Sequence, residues 1–176
     1  NSAIKKATEM FEGYRLNEIP WVAEELFLEL SRTYIQLTRD KSSMGSDEEK
    51  KIVLNTVYNV LLGCMKLFAT VAPFITEAMY QNFRHEFKLK EESIHLLEWP
   101  MHNEELINEE LEASMSIASE IVQSALAVRE RIQLGVRWPL KEAIITTKDE
   151  KAMKAITNLM DAVKKQLNVK EVKVLG

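Results

Sequence analysis

Residues able to hold a metal, attack an electrophile or move a proton are few in this sequence and poorly spaced for those tasks. The three histidines, His85, His95 and His102, have no cysteine or second histidine at metal-ligand spacing. The one cysteine, Cys64, falls between Val60 and Phe68 on an apolar helical face, the setting of a buried structural thiol. Five glycines stand singly, so none builds a loop that cradles phosphates. The densest carboxylate group, Glu104, Glu105, Glu109, Glu110 and Glu112, reads as a solvated helical face that complements the positive end of the helix dipole. No catalytic and no metal-binding residue is expected in this chain.

The chemistry that remains is electrostatic. Residues 1–128 carry 12 Lys/Arg against 21 Asp/Glu, whereas residues 129–176 carry 11 against 6. A basic C-terminal stretch fits an anionic partner; lysines that only keep a small strand-containing unit soluble are the plainer alternative. Otherwise the 176 residues, 46% hydrophobic and 28% charged, describe an ordinary soluble globular protein, and only five Gly and four Pro argue for long helices. A lone cysteine excludes an internal disulfide and fits a reducing compartment. No apolar run approaches 18 residues and no signal peptide is visible, so no membrane partner is expected. The chain enters a helix-like segment directly after Asn1, as a piece of a longer polypeptide would.

The element that must position any site is the run 103–138. Asn103 can cap it, Glu104 and Glu105 occupy its first turn, and apolar residues recur at Ile107, Leu111, Met115, Ala118, Ile121 or Val122, Ala125, Val128 and Ile132. Arg129 and Arg131 fall in its last turns and Gly135 is a natural residue to end it. Before it, the pattern predicts helices over Ile4–Arg15, from Asn17 to near Asp40, from Ser46 or Asp47 to Val71, and from Pro73 towards Phe87. Lys41–Ser46 reads as a loop and Ser93–Pro100 as an extended strap. The expected fold is mainly α: an antiparallel bundle of four or five helices over 1–138, then a small α/β appendage over 139–176. In the appendage, Ala143–Thr147 and Val169–Leu175 read as strands around a helix of about 16 residues, the length of a parallel βαβ crossover.

At the punctuated junctions the sequence stops being generic. Val71-Ala72-Pro73-Phe74 through Tyr80 resembles the "LAPF.P...EE.Y" segment of the anticodon-binding domains of class I aminoacyl-tRNA synthetases. Ser93-Ile94-His95 through Trp99-Pro100 is similar to the "S(V/I)H...WP" strap of the isoleucyl, valyl and leucyl members. Glu29-Leu30-Ser31-Arg32-Thr33-Tyr34-Ile35 resembles the "DLSRWYI" helix of the isoleucyl members. Arg129-Glu130-Arg131 with Arg137-Trp138-Pro139-Leu140-Lys141-Glu142, then Leu167-Asn168-Val169-Lys170-Glu171-Val172, are similar to "R......LRWPLKEV.I" and "LNVKEV" of their archaeal- and eukaryotic-type branch. Five motifs in the family's order cover Glu29 to Val172. The departures are Thr33, where these enzymes often have Trp, and Ile19-Pro20-Trp21, which is not the usual Ala-rich helix entry.

The resemblance implies a tRNA-binding role inside an isoleucine–tRNA ligase that uses ATP and Mg, with tRNA(Ile) and the remaining synthetase domains as partners and a cytoplasmic location. The class I catalytic signatures, a "HIGH" histidine pair and a "KMSKS" loop, are absent, so activation chemistry is expected outside this chain. Candidate cations for RNA are Arg32, Arg39, Arg129, Arg131, Arg137 and Lys141, whose charges suit phosphate oxygens. Trp138 could stack on a base or wedge the appendage against the long helix. A valyl or leucyl relative, or a non-enzymatic helical protein-interaction module, is the alternative.

Overall fold

Side-chain caps or a first-turn proline mark the starts of several helices of this chain. A computed structural model describes residues 1–176, which form two compact units, Asn1–Ile107 and Asn108–Gly176. In the first, α1 (Ser2–Glu12) stops at Gly13. Helix α2 (Ile19–Leu28) admits Pro20 in its first turn, where a missing N–H costs nothing. It continues through a π turn (Glu29–Tyr34) into α3 (Ile35–Met44). Helix α4 (Asp47–Ala69) opens on a complete capping box: the Ser46 hydroxyl accepts from the Glu49 N–H, and the Ser46 N–H donates to the Glu49 carboxylate. Helix α5 (Pro73–Phe87) follows a short break after Thr70. Links this short make α3 and α4, and α4 and α5, antiparallel neighbours.

The expected loop at Lys41–Ser46 shrinks to Gly45 and Ser46. The hydroxyls of Ser42 and Ser43 donate to the Arg39 carbonyl at 2.8 and 2.9 Å, so these residues continue α3 rather than leaving it. Glycine is required at position 45 by close approach: a Cβ there would lie 2.4 Å from the Lys41 carbonyl oxygen.

The bundle core gathers Ala7, Met10, Ile19, Val22, Ala23 and Leu67, and a second cluster joins Met65, Tyr80 and Ile94. Spacing along the chain predicts a stripe of Val53, Val57, Val60, Cys64, Leu67 or Phe68, and Val71; Val53, Cys64 and Leu67 are buried, Val57, Val60 and Phe68 are half-buried, and Val71 is exposed. Burial pushes the Cys64 thiol up to about 11, which leaves it protonated at neutral pH, as expected of a structural thiol. By length and composition α4 could cross a membrane, with 23 residues and a mean hydropathy of 1.6 over its most apolar stretch. Asn55, Thr56, Asn59 and Lys66 interrupt that stretch, and the helix packs against α2, α3 and α5.

The strap after α5 contains one 3₁₀ turn, Ile94–Leu96, whose first residue is buried. Glu77 ties it down, accepting from Gln81 Nε2 at 2.5 Å, Ser93 Oγ at 2.8 Å and the Ile94 N–H at 3.1 Å. These bonds, that from Gln81 foremost, hold the Glu77 carboxyl below its ordinary value. A depressed carboxyl lends stability that is complete above its unfolded pKa of about 4.3 and fades as pH falls through the folded one. Urea midpoints should therefore fall between pH 6 and pH 3, and Glu77→Gln should lose part of that fall. Equal pH dependence in both proteins would sever Glu77 from the strap. Trp99, near the strap's end, donates Nε1–H to Thr8 Oγ1 at 2.9 Å and packs 5.3 Å from the Phe11 ring, a packing role.

The long helix is shorter than its pattern and begins only in the second unit. Asn103 caps only a 3₁₀ turn (Glu104–Leu106), Ile107 is extended, and Asn108 caps α6 (Glu109–Arg131) through the Leu111 N–H at 2.9 Å. A second Asn cap, placed after an extended residue, restarts the helix. Helix α6 then packs on α7 (Glu150–Asn158) and α8 (Met160–Leu167), with Ala118, Val122, Ile156, Val163, Leu167 and Val172 as the core. The chain thus divides into its compact units at Ile107/Asn108, whereas the sequence pattern predicts a boundary at Trp138/Pro139. Strands β1 (Leu140–Thr146) and β2 (Val169–Leu175) pair in parallel, as expected, and the crossover helix breaks in two at Leu159.

Candidate nucleic-acid interface

Between α6 and β1 runs an elbow, Ile132–Pro139, with neither helix nor strand to order it. Gln133, not Gly135, takes the left-handed conformation that ends the helix (φ 53°). Gly135 instead accepts from the Trp138 N–H at 3.1 Å, closing a turn. Side chains hold the rest. Arg129, 5% exposed, donates Nε–H to the Leu134 carbonyl at 3.3 Å and Nη1–H to that of Leu167 at 3.1 Å. Its Nη2 donates to the carbonyls of Gly135 at 2.7 Å and Trp138 at 2.6 Å. Asn168, itself left-handed at φ 49°, donates Nδ2–H to the Val136 carbonyl at 2.8 Å.

This corrects one expected RNA contact. Arg129 is buried and bonded to carbonyls, so it does not face solvent where a phosphate could meet it. The other expected residues of the second unit are open to solvent: Arg131 at the end of α6, Arg137 and Trp138 in the elbow, and Lys141 on β1. Trp138 is 69% exposed, so the wedge reading of it does not hold. The strand register, with Leu140 beside Val169 and Glu142 beside Glu171, sets Lys141 next to the exposed Lys170. Like charges side by side on paired strands are unfavourable unless an anion screens them. On the opposite sheet face Lys173 pairs with Glu142 at 2.5 Å, so that face is locally neutralised.

Arg32 and Arg39 are exposed in the first unit, on the helix that runs from α2 into α3. Arg32 lies inside the π turn, which coincides with the Glu29–Tyr34 part of the "DLSRWYI"-like motif; such turns recur at functional sites. Sequence reading did not name Gln133, Asn168 or Lys170 as site residues, although the last two lie in the "LNVKEV"-like motif. The Lys170 pairing was available from the parallel register of the two predicted strands. Asn168 carried a weaker signal, an Asn between helix and strand.

Gly13, Gly45, Gly63, Gly135 and Gly176 stand apart, and no three His, Cys, Asp or Glu side chains converge to hold a metal.

Comparison with known proteins agrees with the motif order. A family model described as the anticodon-binding domain of tRNA ligase matches residues 1–145. The isoleucine–tRNA ligase of Archaeoglobus fulgidus is 36% identical over 176 residues, covering 99% of this chain and 17% of the relative. That of Thermococcus kodakarensis is 36% identical with 99% and 16% covered, and that of Methanosarcina mazei 32% identical with 99% and 17% covered. The chain spans about a sixth of the length of the curated relatives it matches. With the family match running from α1 into β1, a span that holds four of the five motifs, the chain belongs to the anticodon-binding domain family of tRNA ligases.

Proposed function

We propose that this chain docks tRNA(Ile) for an isoleucine–tRNA ligase, whose other domains, cytoplasmic like this one, join isoleucine to the tRNA with ATP and Mg. The observation that carries the reading is the exposed Arg137–Trp138 elbow beside Lys141 and Lys170. The guanidinium and the lysines meet backbone phosphates, releasing counterions and fixing the RNA's position. An indole with most of its surface in water offers a face on which an unpaired anticodon base stacks. Nothing in this arrangement moves a proton or attacks a bond, so the contribution to catalysis is placement of the substrate RNA.

Binding of tRNA measured across a salt series tests this. Affinity should fall steeply and linearly on a log–log plot, and tRNA(Ile) should outcompete an unrelated tRNA. Preference for a valine or leucine tRNA would reassign the specificity; salt-independent binding would remove the phosphate docking.

A further inference from the structure

We propose that Arg129 and Asn168 are positioning residues that lock the Leu134–Trp138 elbow, so that Arg137 and Trp138 meet RNA already in place. The inference rests on the RNA-docking reading above. Within five consecutive residues the carbonyls of Leu134, Gly135, Val136 and Trp138 all accept from these two side chains. Such a segment, outside helix and sheet, otherwise samples many conformations, and ordering it on binding subtracts from affinity.

The chemistry of the two clamps is specific. Arg129 commits four of its five guanidinium N–H groups to carbonyls spread over the elbow and the last turn of α8. A planar fork spans these acceptors; a lysine ammonium, a single point at the end of a stem, does not. The Leu167 carbonyl lies at the negative end of the α8 dipole, which favours a cation there without a carboxylate. Asn168 is among the few residue types that tolerate φ near 49°, and from that conformation its amide reaches Val136. With these carbonyls drawn to Arg129 and Asn168, the side chains of Arg137 and Trp138 remain in solvent.

Two variants of the full chain separate this role from a direct RNA contact. Asn168→Gly preserves the left-handed backbone and deletes only the amide bond; Arg129→Lys keeps the charge and loses the fork. Both should speed hydrogen exchange at the Trp138 amide while the α6 amides stay protected. Both should weaken tRNA binding, Asn168→Gly about threefold to tenfold, with the slope of log affinity against log salt unchanged because no phosphate contact is lost. In a Trp138→Ala background Asn168→Gly should cost less than in the wild type, since part of its effect passes through that side chain. Unchanged exchange at Trp138, unchanged affinity with faster exchange, a shallower salt slope, or a loss that persists in full without the indole would each overturn the proposal. A wild-type chain that binds tRNA without salt dependence would instead overturn the docking reading on which it rests.

Discussion

Leu67→Asp abolishes cooperative unfolding of the first unit at ordinary temperatures. Leu67 is fully buried among Ala7, Met10, Ile19, Val22 and Ala23, where α4 meets α1 and α2. The substitution removes a leucine side chain worth about 2–3 kcal/mol of burial and leaves a carboxylate that none of those neighbours can pair. Changes of this kind exceed about 4 kcal/mol, against a total of about 5–15 kcal/mol for a domain. Leu54→Asp on the same helix is the control: at 64% exposed it should shift stability by no more than about 0.5 kcal/mol. Thermal unfolding followed by far-UV circular dichroism reads both. A Leu67→Asp variant that melts like the wild type would refute the packing of α4 described here.

That pair of leucines also shows how far periodicity reaches. The stripe on α4 was legible because the i, i+3/i+4 spacing of Val53, Val57, Val60, Cys64 and Leu67 or Phe68 is a property of the chain alone. How deeply each position is buried was not legible, because Val60 and Val71 depend on which neighbour happens to cover them, and Val71 has little cover. The strand–helix–strand order was equally plain, since β-branched runs flanked a helical one. The start of α6 was not: Asn103 and Asn108 both can cap, and only an extended Ile107 decides between them. Local rules supply candidate caps, and tertiary packing selects one.

The site divides along the same line. Residue type and position singled out Arg131, Arg137, Trp138 and Lys141, and all four are exposed. Arg129 was indistinguishable from them by type, yet it turns inward. Five carbonyl groups left by the irregular elbow and the end of α8 must be satisfied, and carbonyl demand of this kind has no sequence signature. A buried cation matched to backbone acceptors is therefore the part of the site that only coordinates reveal. Its two left-handed residues, Gln133 and Asn168, belong to the same class, because non-glycine residues in that region are set by their surroundings as much as by type.

Trp138→Ala is expected to have the largest effect of any single substitution on RNA binding while leaving the fold intact. The indole is 69% exposed, so its removal forfeits little packing. Stacking a base on an aromatic face is worth about 1–3 kcal/mol, which is about a fivefold to 150-fold loss of affinity, and Trp138→Phe should restore part of it. Arg137→Ala should lower affinity less at low salt but flatten the slope of log affinity against log salt by about one, because one phosphate contact goes. The two signatures are thus orthogonal: one changes height, the other slope. Trp99→Phe supplies the opposite pattern, since it deletes the bond to Thr8 in the first unit's core and should lower the melting temperature with tRNA affinity unchanged. Were Trp138→Ala to destabilise the second unit or leave binding untouched, the exposed indole would be a bystander and the RNA would have to be held by charge alone.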